Sequence, residues 1–278
     1  MHSTINCKGK LIDLSKPLVM GIVNVNDDSF YSGSRCLTED LIKGRVQLHL
    51  HHGASIIDIG AYSTRPGCVD IEPEVEKERI ALAMKVINHH FPDAIVSVDT
   101  FRADVARYAV EECGVAIVND ISGGTLDDRM YDTVAELHVP YIMMHIKGTP
   151  QTMQQFCHYD NMMDEIIKFF AERVERLKLL GVNDIIIDPG FGFAKDLDQN
   201  YELMNRLDEF KVFGLPILVG ISRKSMIYKL IGGAPDTALN GTTVLNTIAL
   251  TKGANILRVH DVQPAMEAIR ICEKTGLI

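Results

Sequence analysis

Apolar and polar positions fall in blocks along the chain. Short runs rich in Val and Ile recur at Leu18–Val25 (LVMGIVNV), Ser55–Gly60 (SIIDIG), Ala94–Asp99 (AIVSVD) and Val115–Asp120 (VAIVND). Four more follow at Pro140–His145 (PYIMMH), Asp184–Asp188 (DIIID), Pro216–Ile221 (PILVGI) and Asn255–His260 (NILRVH). The runs are continuous, as in parallel strands covered on both faces. Amphipathic segments fill the gaps, for example Leu37–His52, Glu72–His90 and Asn161–Leu180. Gly53, Gly114, Gly181, Gly214 and Gly253 stand where a helix would stop ahead of a strand. Eight strand–helix units predict an α/β fold of the closed (β/α)8 barrel type, with a doubly wound open sheet as the alternative. INCKGKLIDL, ahead of the first strand, reads as a short N-terminal hairpin turning at Gly9. With no internal repeat and no long linker, residues 1–278 are expected to form one domain.

Composition narrows the function classes. Against 28 Lys and Arg stand 37 Asp and Glu, a net charge of −9. A chain this acidic lacks the footprint of a nucleic-acid or anionic-membrane binder, although a local basic pocket for a small anion is still allowed. No apolar run approaches the ~20 residues that span a bilayer, and MHSTINCKGK has no signal-peptide core. The six cysteines lie far apart, without a C-x-x-C pair. A reduced, cytoplasmic enzyme is the expectation.

The polar residues gather at the C-terminal ends of the strands, where barrels of this kind carry their active sites. Those ends hold Asn24, Asp58, Asp99, Asn119 with Asp120, His145, Asp188, Ser222 with Arg223 and Lys224, and Arg258 with His260. Taken singly, an Asp or Asn there caps the next helix, and Asp261 reads as the cap of the last one. A polar group at every strand end is a different matter, because the eight ends converge on one cavity. Two long connections at that face, Asn26–Cys36 and Ala61–Ile71, are Ser-, Gly- and Asp-rich and read as lids or as surface insertions. HLHH at His49–His52 lacks a Cys or carboxylate partner for zinc and reads as a solvated helix face.

In order from Met20 to Val262, MGIVNV, DIGAYSTRPG, SVDTFR, IVNDISGG, MMHIKGTPQTMQ, IIIDPGFGFAK, GISRKSMI and ILRVHDV resemble the dihydropteroate synthases of the pterin-binding barrel family. The resemblance implies condensation of 6-hydroxymethyl-7,8-dihydropterin pyrophosphate with p-aminobenzoate, with Mg2+ accompanying the pyrophosphate. It assigns the pterin to Asp99, Asn119, Met144, Asp188, Phe193, Lys224 and Arg258. Asn24, Thr64, Arg258 and His260 fall to the pyrophosphate, with Asn24 also a magnesium ligand. Thr64, Arg65, Pro66 and Ser225 fall to p-aminobenzoate. Asp99, Lys224, Arg258 and His260 carry the catalytic roles. The family implies a homodimer and a sulfonamide target. The residue types suit that chemistry. A carboxylate matches the paired N–H donors of a pterin edge, and a guanidinium offers both a flat face and a charge for phosphate. For Met144 and Phe193, plain core packing is the equal alternative.

The chain departs from the family in its lids. After Asn24 it reads VNDDSFYSG: Asn26 and Asp27 replace Thr-Pro, and Ser32 stands where a second Asp is common. Ala61 and Tyr62 replace Gly-Glu in the second lid. Two further readings share the pterin-binding residues: a methyltransferase using methyl-tetrahydrofolate, which would need no pyrophosphate site, and a non-catalytic pterin-binding paralogue.

Overall fold

The computed structural model describes residues 4–25, 35–62 and 70–278, without the side chains of residues 35–38. A two-stranded antiparallel hairpin comes first, β1 (Thr4–Cys7) and β2 (Lys10–Asp13). Its turn places Lys8 and Gly9 at φ 54° and 85°, the doubly left-handed turn whose twist suits a tight hairpin.

Eight parallel strands follow: β3 (Leu18–Asn24), β4 (Ile56–Gly60), β5 (Val96–Asp99), β6 (Ile117–Asp120), β7 (Tyr141–Met144), β8 (Ile185–Asp188), β9 (Leu218–Val219) and β10 (Ile256–Val259). They pair in the order β8-β7-β6-β5-β4-β3-β10-β9. A parallel bridge between Ile187 and Ile217 joins the two ends. The sheet therefore closes into the expected (β/α)8 barrel, not the open sheet. Around it lie α1 (Arg35–His51), α2 (Pro73–His90), α3 (Ala103–Glu111), α4 (Met130–Leu137), α5 (Met162–Leu179), α6 (Leu197–Asn205), α7 (Ser225–Ile231), α8 (Leu239–Thr251) and α9 (Val262–Thr275). None of the described helices is long and apolar enough to cross a membrane.

The pleat explains why the strands look uniformly apolar yet carry chemistry. Outward positions such as Val19, Ile57, Val98, Val118, Tyr141, Ile187, Val219 and Leu257 form one core with the helices. Inward positions Met20, Ile56, Ile117, Ile142, Ile186, Leu218 and Ile256 form a second cluster across the barrel floor, and the hairpin plugs it with Ile5, Cys7, Ile12 and Leu14. Two residues further along each strand, side chains return to the same face. There the inward residues are Ile22, Asp58, Ser97, Asn119, Met144, Asp188, Gly220 and Arg258. Within one step the interior thus passes from wholly apolar to a layer that carries the charged and polar groups.

One sequence expectation is corrected here. His49 is buried, not solvated, and its Nε2 lies 2.9 Å from the carbonyl oxygen of Ile22. Gly21 makes room for it, since a Cβ there would come within 2.9 Å of the imidazole. Burial lowers the His49 pKa, which keeps the ring neutral at neutral pH.

Leu14 belongs to the floor plug, at the opposite end from the polar mouth. Leu14→Ala is expected to cost about 2–5 kcal/mol of stability, read by denaturant unfolding, with ligand affinity at the mouth unchanged.

Candidate active site

A salt-bridge array spans the barrel mouth. Arg258, inward on β10, donates from Nε to Asp58 Oδ2 and from Nη2 to Asp99 Oδ2, both at 2.6 Å. Asp58 also accepts from the Ser97 hydroxyl, and from the Asn119 amide at 3.2 Å. Burial opposes the charge on Arg258, but Asp58 and Asp99 hold its pKa above the ordinary value. Burial likewise pushes the Asp99 carboxyl up to about 7, against the pull of Arg258.

A second set faces it from the ends of β8 and β9. Asp188 is buried and accepts from the Gly190 amide at 2.8 Å. Burial raises its pKa, with the Lys224 charge the largest opposing influence. Lys224 donates to the Phe191 carbonyl, and its Nζ lies 4.6 Å from the centre of the Phe193 ring. Burial draws its pKa down to about 8, with Asp188 pulling the other way. Met144 and Phe193 belong to one apolar cluster with Ile121, Ile146, Met153 and Ala194.

Arg223 and Lys224 sit in a loop that is locally strained. Arg223 adopts φ 57°, in the left-handed region. Its guanidinium grips Asp261 at 2.7 and 3.0 Å and the carbonyls of Pro235 and Asp236 at 2.9 and 3.0 Å. Asp261 stands at the N-cap of α9 but makes no side-chain cap; it serves this clamp instead, which corrects the capping expectation. Next to it, His260 meets the Ser222 hydroxyl through both its backbone N–H (3.1 Å) and Nδ1 (3.0 Å). Ser225 opens α7 on the rim of a cleft of about 250 Å3 shared with Gln154, Cys157, Gly192 and Lys229.

The structure thus gathers Asp99, Asn119, Met144, Asp188, Phe193, Lys224 and Arg258 at one mouth, with Asn24, His260 and Ser225 at the adjoining strand and helix ends. Thr64, Arg65 and Pro66 lie outside the described residues, as do Asn26, Asp27 and Ser32. Two residues gain a place in the site that the sequence alone does not assign. Asp58 is visible there only as a strand end, yet it shares the inward face of Ile56 and alternates with the outward Ile57 and Ile59. Lys195 is buried on the turn after β8, with its pKa drawn down to about 7 by burial and raised in part by Asp188.

A sequence model of the pterin binding enzymes matches residues 20–260. The dihydropteroate synthase of Escherichia coli K12 is 40% identical over 271 residues, covering 96% of this chain and 95% of that protein. This chain belongs to the dihydropteroate synthase family of pterin-binding enzymes. Other members agree over their length. The Synechocystis dihydropteroate synthase is 38% identical across 92% of this chain and 89% of its own. The Yersinia pestis synthase, solved as a complex with a sulfonamide drug, superposes with a TM-score of 0.91 at 37% identity, covering 99% of this chain and 100% of its own. The Xanthomonas albilineans synthase, solved with 7,8-dihydropteroate, gives 0.86 at 29% identity over 99% of each chain.

The Arg223 clamp is the part of the site most exposed to a single change. Arg223→Ala is expected to cost about 2 kcal/mol through its lost charged hydrogen bonds. Calorimetry reads the stability, and a raised KM for the pterin substrate would report the loosened loop.

Proposed function

We infer that this mouth does the chemistry of its family: it condenses 6-hydroxymethyl-7,8-dihydropterin pyrophosphate with p-aminobenzoate, giving 7,8-dihydropteroate and pyrophosphate. The observation that carries the reading is the convergence of Asp188 and Lys224 with the Asp58–Arg258–Asp99 array at one barrel mouth. The pterin's adjacent ring N–H and amino donors match the Asp188 carboxylate. Lys224 serves the pterin carbonyl and a ring nitrogen. Asn119 gives its N–H to Asp58, so its carbonyl oxygen is the group left to accept from the ligand. Met144 and Phe193 form the wall beside the ring.

Pyrophosphate leaves first in this mechanism, and the developing methylene cation lies within the field of the Asp99 carboxylate. Arg258 uses two of its five N–H donors on Asp58 and Asp99. The remaining donors meet phosphate without releasing either carboxylate. His260 lies one residue ahead of the Asp261 N-cap of α9, whose N-terminal dipole favours an anion. The amine of p-aminobenzoate then attacks the methylene carbon and gives up a proton, and its carboxylate is assigned to Ser225, together with Thr64, Arg65 and Pro66 by family resemblance alone. No protein nucleophile is required.

Magnesium fits this mouth as a companion of pyrophosphate, not as a resident of a protein cage. Among the described residues no group of three or more His, Cys, Asp or Glu is arranged to hold a metal. Asn24 supplies a carboxamide oxygen packed over Gly60, where an added Cβ would come within 3.2 Å of it and 3.9 Å of Asp99. Mg2+ that keeps its waters and binds phosphate needs only one or two protein oxygens. Bound there, it would supply Lewis-acid stabilisation of the departing pyrophosphate.

The protein is proposed to work in the cytoplasm as a homodimer. The exposed Leu230 and Ile231 of α7, with Val244 and Ile248 of α8, support a second copy as their cover. Sulfonamide drugs are expected to compete with p-aminobenzoate beside Ser225.

Incubating the protein with both substrates and Mg2+, while following pyrophosphate and dihydropteroate by mass, tests the reading. Product is expected, with Lys224→Ala and Asp188→Ala each lowering kcat/KM for the pterin substrate by about 100-fold or more. Pterin binding without product in the unaltered protein would sink the enzyme reading in favour of the binding paralogue.

The raised Asp99 pKa gives a pH signature. Its carboxylate, the form that supports the cation, populates only as pH rises through about 7. The kcat/KM for the pterin substrate is therefore expected to climb across that pH. Asp99→Asn should lower activity and flatten the climb, and a climb that survives the substitution would refute the assignment.

A further inference from the structure

The turn after β8 folds around a buried lysine to which the reaction gives no part. Lys195 is only 3% exposed. Its Nζ donates to the Gly190 carbonyl at 2.9 Å and the Phe193 carbonyl at 3.0 Å, and lies 3.1 Å from His145 Nδ1. An ammonium has three N–H donors, and here each has an acceptor. His145 is itself enclosed, its ring edge-on to Phe169 at 4.9 Å. Burial, with the Lys195 charge adding to it, holds the imidazole neutral, so its Nδ1 can accept.

The turn has reason to need such a tie. Gly190, Gly192 and Ala194 take φ of 75°, 80° and 48°. Ala194 carries a Cβ, and an alanine in that region is held there by its surroundings. The Gly190 and Phe193 carbonyls converge on Lys195, and buried carbonyls require a donor. The same turn carries the groups assigned to the pterin. The Gly190 amide donates to Asp188, the Phe191 carbonyl accepts from Lys224, and the Phe193 ring faces the Lys224 ammonium. A shift of either tied carbonyl would displace all three together.

We propose that Lys195 is a positioning residue for the pterin pocket: anchored on His145, its ammonium fixes the turn over 188–194 so that Asp188, Lys224 and Phe193 meet the pterin in register. It touches no reacting atom and acts through the turn. Ser225, the p-aminobenzoate position, lies on α7 and meets the turn only where Gly192 and Lys195 line the same cleft, whereas Asp188, Lys224 and Phe193 are all held by it, so the pterin is expected to respond more strongly to its loss.

The proposal rests on the pterin reading of the pocket, and the test keeps the two apart. Binding of 6-hydroxymethylpterin is measured by calorimetry for the unaltered protein, Lys195→Met, His145→Gln and His145→Leu, alongside KM for p-aminobenzoate and the melting temperature. Lys195→Met is expected to weaken pterin binding by about tenfold or more while KM for p-aminobenzoate stays within about twofold. His145→Gln, which keeps an acceptor oxygen, should bind pterin more tightly than His145→Leu, which removes it. Unaltered pterin affinity in Lys195→Met overturns the proposal, as does an equal loss for both substrates, the mark of general loosening. Should Lys195→Met fail to fold, the His145 pair decides: equal pterin affinity in Gln and Leu overturns the proposal. No pterin binding by the unaltered protein removes the pterin reading itself, and the proposal with it.

Discussion

Arg258 stands between two carboxylates in the barrel mouth, and the surrounding charges are arranged around it. A guanidinium or a carboxylate taken out of water alone carries a penalty of several kcal/mol. The structure meets that demand by pairing. Arg258 pairs with both Asp58 and Asp99, and Lys224 and Lys195 stand in the field of Asp188. Neutral donors complete the shell, with Ser97 and Asn119 on Asp58 and the Gly190 amide on Asp188. The balance is close enough that burial shifts Asp99, Asp188, Lys195 and Lys224 toward neutrality, Asp99 and Lys195 to about 7 and Lys224 to about 8. Such a site is poised to change charge when an anionic substrate arrives, because each new charge alters which neighbours remain ionised.

That arrangement could not survive without a dry floor beneath it. The inward residues one step below the polar ring are Ile, Leu and Met, sealed by Ile5, Cys7, Ile12 and Leu14 of the hairpin. Water reaching the array from below would screen the pairs and weaken the field in which charge develops. The two ends of the barrel therefore divide the work. Packing at the floor supplies rigidity, and the mouth converts that rigidity into fixed positions for charged groups.

The fold is largely legible in the sequence because each strand run and each helix-stopping glycine is a local signal. Gly53, Gly114, Gly181, Gly214 and Gly253 all take left-handed φ as the pattern requires. The inward ring is legible in part, as polar residues at strand ends; the two-residue alternation that separates Asp58 from its apolar neighbours is masked by burial on both faces. His49 defeats the sequence reading for a related reason. A helical histidine looks solvated until the facing strand is known to present Gly21 and the Ile22 carbonyl. Asp261 and Arg223 form their clamp across 38 residues of chain, a pairing that no local pattern encodes. The role of Lys195 is hidden similarly, since its acceptor His145 lies 50 residues away.

The lid departures at Asn26, Asp27, Ser32, Ala61 and Tyr62 acquire a definite meaning against this division. In sequence the first three follow the last residue of β3 and the other two follow β4, so none replaces a member of the inward ring. Tyr62 has found partners of its own, stacking edge-on against Phe101 at 5.1 Å and accepting from Gln151 at 2.5 Å. Glu in its place would bring a charge to a partly apolar wall that already holds Asp70 beside Arg102. Position 62 tolerates such an exchange because it follows the last residue of β4 and its backbone is not committed to the sheet. The Asp58–Arg258–Asp99 array has no such freedom: replacing Arg258 leaves two buried carboxylates without their shared counter-ion.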